Sequence, residues 1–189
     1  GTVVSDHTAS LEMGTTTNDI GSTKLTTICN DANGFAIYAV GFTNDEYGNT
    51  NLVNPSYNQP IPTGAEQSGT STWRMKIAKD TTSYLAENLS IDNGFGSYTS
   101  VPNYYTKIAS YSANTDVTTG SSVLTTYSVS ILGAQVAGSY GGKVKYVMVH
   151  PSTESAPLPV EYMQDFNNLT ATARANVIEG METEKIYHS

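Results

Sequence analysis

Hydrophobic and polar positions alternate along much of the chain, and the longest such run covers residues 122–132. There Val123, Thr125, Tyr127, Val129 and Ile131 fall on one side, and Leu124, Thr126, Ser128 and Ser130 on the other. A period of two in β-branched and aromatic residues predicts a strand. Residues 142–150 repeat the pattern, with Val144, Tyr146 and Met148 alternating with Lys143, Lys145, Val147 and Val149. The glycine-rich stretch 133–142 between them suits a strand-to-strand connection and would break a helix. Together the two runs read as a β-hairpin at the centre of an all-β domain.

The same reading extends to both sides. Ala9, Leu11 and Met13 alternate with polar neighbours and predict a strand over residues 7–13, whereas the Thr, Gly and Asn of residues 15–22 predict a loop. Residues 24–30 and 35–42 flank the sequence Asn30-Asp-Ala-Asn-Gly34, in which Asn and Gly tolerate the positive φ of a tight reversal, so a second hairpin is expected. The run from Phe35 to Phe42 is apolar on both faces and belongs in the middle of a sheet. Residues 43–72 are polar and broken by Pro55, Pro60 and Pro62, which predicts a wandering insertion with one short edge strand. Trp73, Met75 and Ile77 alternate with Arg74 and Lys76, placing the single Trp in a core. Residues 84–100 read as a loop carrying the Asp92-Asn-Gly94 turn, 104–111 as a strand, and 114–120 as the return to the central pair.

Beyond His150 the pattern changes. Residues 151–159 hold three prolines and no apolar period, and read as a linker. Residues 160–166 and 171–179 read as short helices, with Thr170 a cap, Leu169, Ala173 and Val177 an apolar stripe, and Gly180 a stop. The expected organisation is therefore a β-sandwich, immunoglobulin-like or jelly-roll-like, over residues 1–150, a Pro-rich linker over 151–159, and a short C-terminal helical tail over 160–189. The tail is too small to fold alone and reads as the start of a following domain. With no initiator Met at Gly1, the chain reads as a piece of a longer precursor.

Composition narrows the function. Only 14% of residues are charged, and Ser and Thr make up about a quarter of the chain, a hydroxyl-rich surface common in extracellular β proteins. A formal charge of −8 argues against a nucleic-acid partner, because no cationic excess is present to displace counterions. No run approaches the ~20 apolar residues of a helical membrane span. The single Cys29 excludes an intrachain disulfide and reads as a buried thiol packed as a small hydrophobe.

Candidate chemistry is sparse. His7, His150 and His188 are scattered, without the spacing of a zinc site. Residues 44–49, with Asp45 and Glu46, lack the alternating ligands of a calcium loop and read as a solvated turn. Ser139 lies in an elbow-like stretch, but Ala137 stands where a nucleophile elbow needs Gly, and strands rather than a strand and helix flank it. No catalytic residue, cofactor or metal is therefore expected, although paired carboxylates of a glycan-active enzyme would be invisible in sequence. Of the 13 tyrosines, Tyr98, Tyr104, Tyr105 and Tyr111 are candidates for an exposed sugar-stacking face, against the alternative that they pack as sheet residues. Lys76 and Lys107, with Asn88 and Glu87, are candidates for an intramolecular Lys–Asn amide crosslink.

Two stretches carry a resemblance. Residues 33–41, beginning Asn33-Gly34-Phe35, and residues 142–151, ending Val149-His150-Pro151, resemble β-rich repeat domains of large bacterial cell-surface proteins. In the tail, Tyr162 to Phe166, Leu169-Thr170 and Lys185-Ile-Tyr187 are similar to the lead-in to the major paralogous domain of Fibrobacter-type surface proteins. The resemblance implies an extracellular or cell-surface location and a structural or adhesive role. It also implies other surface-protein chains or host and cell-wall glycans as partners, with homo-oligomers or fibres as the assembled form. A carbohydrate-binding module is the alternative expectation, and a glycan-active enzyme the third.

Overall fold

The computed structural model describes residues 9–65, 69–115 and 118–149. Nine strands occur among them: β1 (Thr16–Thr27), β2 (Phe35–Gly41), β3 (Leu52–Asn54), β4 (Tyr57–Ile61), β5 (Thr72–Lys79), β6 (Leu89–Ile91), β7 (Thr106–Tyr111), β8 (Ser121–Ser130) and β9 (Val144–Val149). The expected linker at 151–159 and helical tail at 160–189 lie outside the described residues.

The strands form a three-stranded sheet of order β1-β8-β5, a four-stranded sheet of order β6-β7-β2-β9, and the small pair β3-β4, each antiparallel throughout. The two larger sheets share one core, which makes the fold a β-sandwich. Trp73, Met75 and Ile77 of β5 and Val123 and Val129 of β8 face Phe35, Ile37 and Ala39 of β2, as the alternation predicts. A register shift between Ile37 and Tyr38 bulges β7, so that consecutive residues Ile108 and Ala109 both join the core. The apolar second face of β2 is also accounted for: Val40 packs with Tyr105, Val147, Tyr38 and Tyr47 on the outer side of the four-stranded sheet.

The structure departs from local expectation in several places, among them a short strand, β6, inside the expected loop at 84–100. The runs at 122–132 and 142–150 are strands but do not form a hairpin: β8 is central in one sheet and β9 is at the edge of the other. Likewise β1 and β2 belong to different sheets, so the stretch 30–34 is a corner between layers rather than a hairpin turn. Its local chemistry is as expected, with Asp31 Oδ1 accepting from Asn33 N at 2.8 Å and Gly34 taking a φ of 79°. The residues expected as a loop at 15–22 are mostly the first half of β1. That half is bulged twice, with Asp19 at positive φ in the first register break and Gly21 in the second. Residues 9–13 are not a strand, and residues 7 and 8 lie outside the described ones. Finally, residues 43–72 hold two short paired strands, not one, because Asn54 Oδ1 accepts from Ser56 N at 2.8 Å and closes a tight turn between β3 and β4.

The two layers are tied across the core by a polar contact. Tyr127 of β8 and Tyr146 of β9 share a hydroxyl hydrogen bond of 2.7 Å, and burial pushes both phenols above their ordinary pKa. The Thr125 hydroxyl also meets both phenols. Replacing either Tyr by Phe takes one partner from the other buried hydroxyl, which costs up to about 1–3 kcal/mol, whereas removing both together loses their shared bond only once. The double variant Tyr127→Phe/Tyr146→Phe is therefore expected to lose less stability than the sum of the singles. Urea unfolding of the four proteins checks this; simple additivity would mean that the pair is not coupled.

Candidate functional site

The alternation that builds β7 also sorts the candidate tyrosines. Tyr105 lies just before that strand, points into the outer apolar cluster and is 1% exposed, while its neighbour Tyr104 is 51% exposed. Tyr111, at the other end of β7, is buried and stacks on Phe35 with ring centroids 5.5 Å apart. Tyr98 lies against the other sheet, beside Arg74 and Lys76 of β5. The expected row of four exposed rings is thus not assembled, because two of the tyrosines are used for packing.

Tyr104 instead lines a groove of about 390 Å³ with Thr50, Asn93, Phe95, Asn103 and Thr106. Its lining mixes the apolar Phe95, Val101 and Pro102 with hydroxyl and amide side chains. Asn93 is held by donating from Nδ2 to the Lys107 carbonyl at 2.8 Å, and Thr106 Oγ1 donates to the Tyr104 carbonyl at 3.1 Å. An aromatic ring beside fixed polar groups is the arrangement by which neutral sugars are held. Sequence reasoning named Tyr104 but missed the loop residues Thr50, Asn93 and Asn103, whose convergence depends on which loops the sandwich brings to one end.

On the outer face of the three-stranded sheet lies a charged cluster. The Tyr98 hydroxyl donates to Asp19 Oδ1 at 2.6 Å and accepts from Asp19 N at 2.7 Å, and Lys76 Nζ donates to the same carboxylate at 3.1 Å. These bonds, Tyr98 foremost, hold the Asp19 carboxyl below its ordinary pKa, and Asp19 in turn raises that of Lys76. The cluster pins the β1 bulge to β5 across β8.

The residues proposed for an amide crosslink are not brought together. Lys76 is engaged with Asp19 on one sheet, Lys107 sits 3.6 Å from Asp92 on the other, and Asn88 and Glu87 lie in the short turn Ala86–Asn88. Cys29 is buried as expected, its thiol pushed up by burial and donating to the Gly34 carbonyl at 3.4 Å. Asp45 is paired with Lys143 at 2.8 Å, and Glu46 accepts from Asn49 Nδ2. Among the described residues no group of three His, Cys, Asp or Glu is placed to hold a metal ion. No helix among them is long and apolar enough to cross a membrane.

Asp80 carries the largest carboxylate shift. It accepts from Lys24 at 2.6 Å, from Thr82 Oγ1 at 2.6 Å and from Thr82 N at 3.0 Å, which lowers its pKa to about 2, Lys24 contributing most. Its folded pKa thus lies below the unfolded value of about 3.9, so its stabilisation is complete above that pH and is lost as pH falls toward 2. Melting temperatures of the native chain and Asp80→Asn are expected to converge between pH 4 and pH 2, and parallel curves would contradict this assignment.

Comparison of the chain with family models, curated proteins and solved structures finds no match.

Proposed function

We propose that the chain is a structural or adhesive module of a secreted bacterial surface protein. In this reading an immunoglobulin-like or jelly-roll-like sandwich is followed by a short helical tail. The observation that carries the reading is the state of the sheet edges. Three of the four outer strands of the sandwich are shortened, bulged or covered, and β9, in unbroken register with β2, has no second neighbour among the described residues, an edge able to receive another strand. The cross-layer Tyr127–Tyr146 contact and the Asp19–Tyr98–Lys76 cluster support a load-bearing role, since each ties separate strands together. Pulling single full-length chains by their two ends tests this. A structural module gives a discrete unfolding peak, and featureless extension would remove the reading.

A second reading, a carbohydrate-binding module, is favoured by the groove at the exposed Tyr104. It predicts binding of neutral host or cell-wall glycans on an array, with at least a tenfold loss in Tyr104→Ala. A blank array, or binding that survives the substitution, removes it.

A further inference from the structure

The outer edges of the two main sheets are β1 and β5 in one and β6 and β9 in the other. The free side of β5 is covered: Met75 and Thr99 exchange two bonds of 2.9 Å, Trp73 N donates to Pro62 O at 3.1 Å, and Ile77 N donates to Phe95 O at 2.7 Å. Strand β6 has only three residues, and β1 breaks register twice. Such devices keep edges from pairing with other chains.

Strand β9 has none of them. It pairs with β2 in unbroken register from Ala36↔Val149 to Gly41↔Val144. Phe42 N donates to Lys143 O at 2.9 Å, which fixes the phase of the ladder. The main-chain groups of Lys145, Val147 and Val149 turn toward β2, and those of Val144, Tyr146 and Met148 turn outward. Among the described residues, nothing takes up these outward N–H and C=O groups.

We propose that this edge pairs antiparallel with the same edge of a second copy of the chain, centred on Tyr146, so that two four-stranded sheets become one. The pairing rests on the structural or adhesive reading and names its partner. A second copy fits because the outward groups are symmetric about Tyr146. Val144 meets Met148 of the second copy, Tyr146 meets its equivalent, and roughly six ladder bonds form with no outward group left over. The charges also suit this register. Lys145 falls opposite Val147 of the second copy and Lys143 opposite Val149, so no two ammonium groups face each other directly. Neither lysine guards the edge, because Lys143 is bound to Asp45 and Lys145 lies 5.0 Å from the Tyr47 ring centroid and 5.6 Å from that of Phe42. The half-buried Val144, Tyr146 and Met148, which flank the core at this open side, would be covered by the pairing.

Sedimentation and amide hydrogen exchange of the full chain over a range of concentrations test the proposal. The expected result is a monomer–dimer equilibrium in which the Val144, Tyr146 and Met148 amides slow as the dimer forms. Val144→Pro removes an outward donor at the first residue of the strand without touching a bond to β2, and should weaken the dimer at least tenfold with an unchanged circular dichroism spectrum. Should it misfold, Met148→Pro gives the same reading at the other end. A chain monomeric at every concentration overturns the proposal, as does a dimer indifferent to both substitutions. Protection of the three amides that does not vary with concentration also overturns it, by showing the edge already covered within one chain. A monomer that still gives a discrete unfolding peak under load would leave the structural reading standing.

Discussion

Trp73→Ala is expected to lose about 3–5 kcal/mol, the usual cost of emptying a large aromatic from a packed interior. Trp73 is 4% exposed, lies in the shared core and meets Tyr127 with ring centroids 5.9 Å apart. Its indole N–H also donates to the Thr50 carbonyl at 2.7 Å, which ties the insertion after β2 to β5. Truncation therefore opens a cavity between the sheets and releases that loop. Because whole domains are stable by only about 5–15 kcal/mol, the loss would take a large share of the total. With an m-value near 2 kcal/mol/M, the urea midpoint should fall by about 2 M. Trp73→Phe separates the two contributions. It keeps most of the ring and removes only the donor, and since Thr50 is half-buried its carbonyl can find water, so about 1–2 kcal/mol is expected. The only Trp is the residue being changed, so circular dichroism must follow the transition. A loss below about 1 kcal/mol for Trp73→Ala would place the ring outside the load-bearing core.

The fold was legible wherever one strand buries one face. The period of two in β5 and β8 identifies the strands and their inward residues because burial acts on side chains, and side chains alternate whatever the strand pairs with. Pairing is another matter. The stretches 30–34 and 133–142 look alike whether the chain folds back within a sheet or crosses to the opposite one, since glycine and asparagine permit both. That choice is made by the core: the inner face of β2 needs the opposite sheet over it, and its outer face is flanked by Tyr105 just before β7 and Val147 of β9, which places β2 between those two strands as β8 is placed between β1 and β5. The first half of β1 was unreadable for a related reason. Bulges at Asp19 and Gly21 interrupt the alternation on which recognition depends. At the groove, Tyr104 was nameable as an aromatic but Asn93 and Asn103 were not, because loop residues converge through topology rather than spacing.

The layer-crossing corner supplies the second large effect. Gly34→Ala is expected to destabilise the chain by at least about 3 kcal/mol, the sum of a left-handed backbone penalty and a steric collision. At φ 79° any L side chain is strained, yet that alone costs only about 1–2 kcal/mol. The larger part is space. A Cβ at Gly34 would stand 1.7 Å from the Tyr111 carbonyl oxygen and 2.6 Å from its carbon, both main-chain atoms of β7 that no rotamer change can move aside. Relief requires the corner to lift away from β7, which breaks the approach of Cys29 Sγ to the Gly34 carbonyl and loosens the stacked Phe35–Tyr111 pair beside it. Gly94→Ala is the matched control. Its φ is 77°, but nothing lies within 4 Å of the added methyl, so only the backbone penalty of about 1–2 kcal/mol should appear. Chemical unfolding of the two variants isolates the collision, since their backbone terms are nearly equal. Equal losses would show that the corner does not press on β7, and that the crossing between layers is held elsewhere.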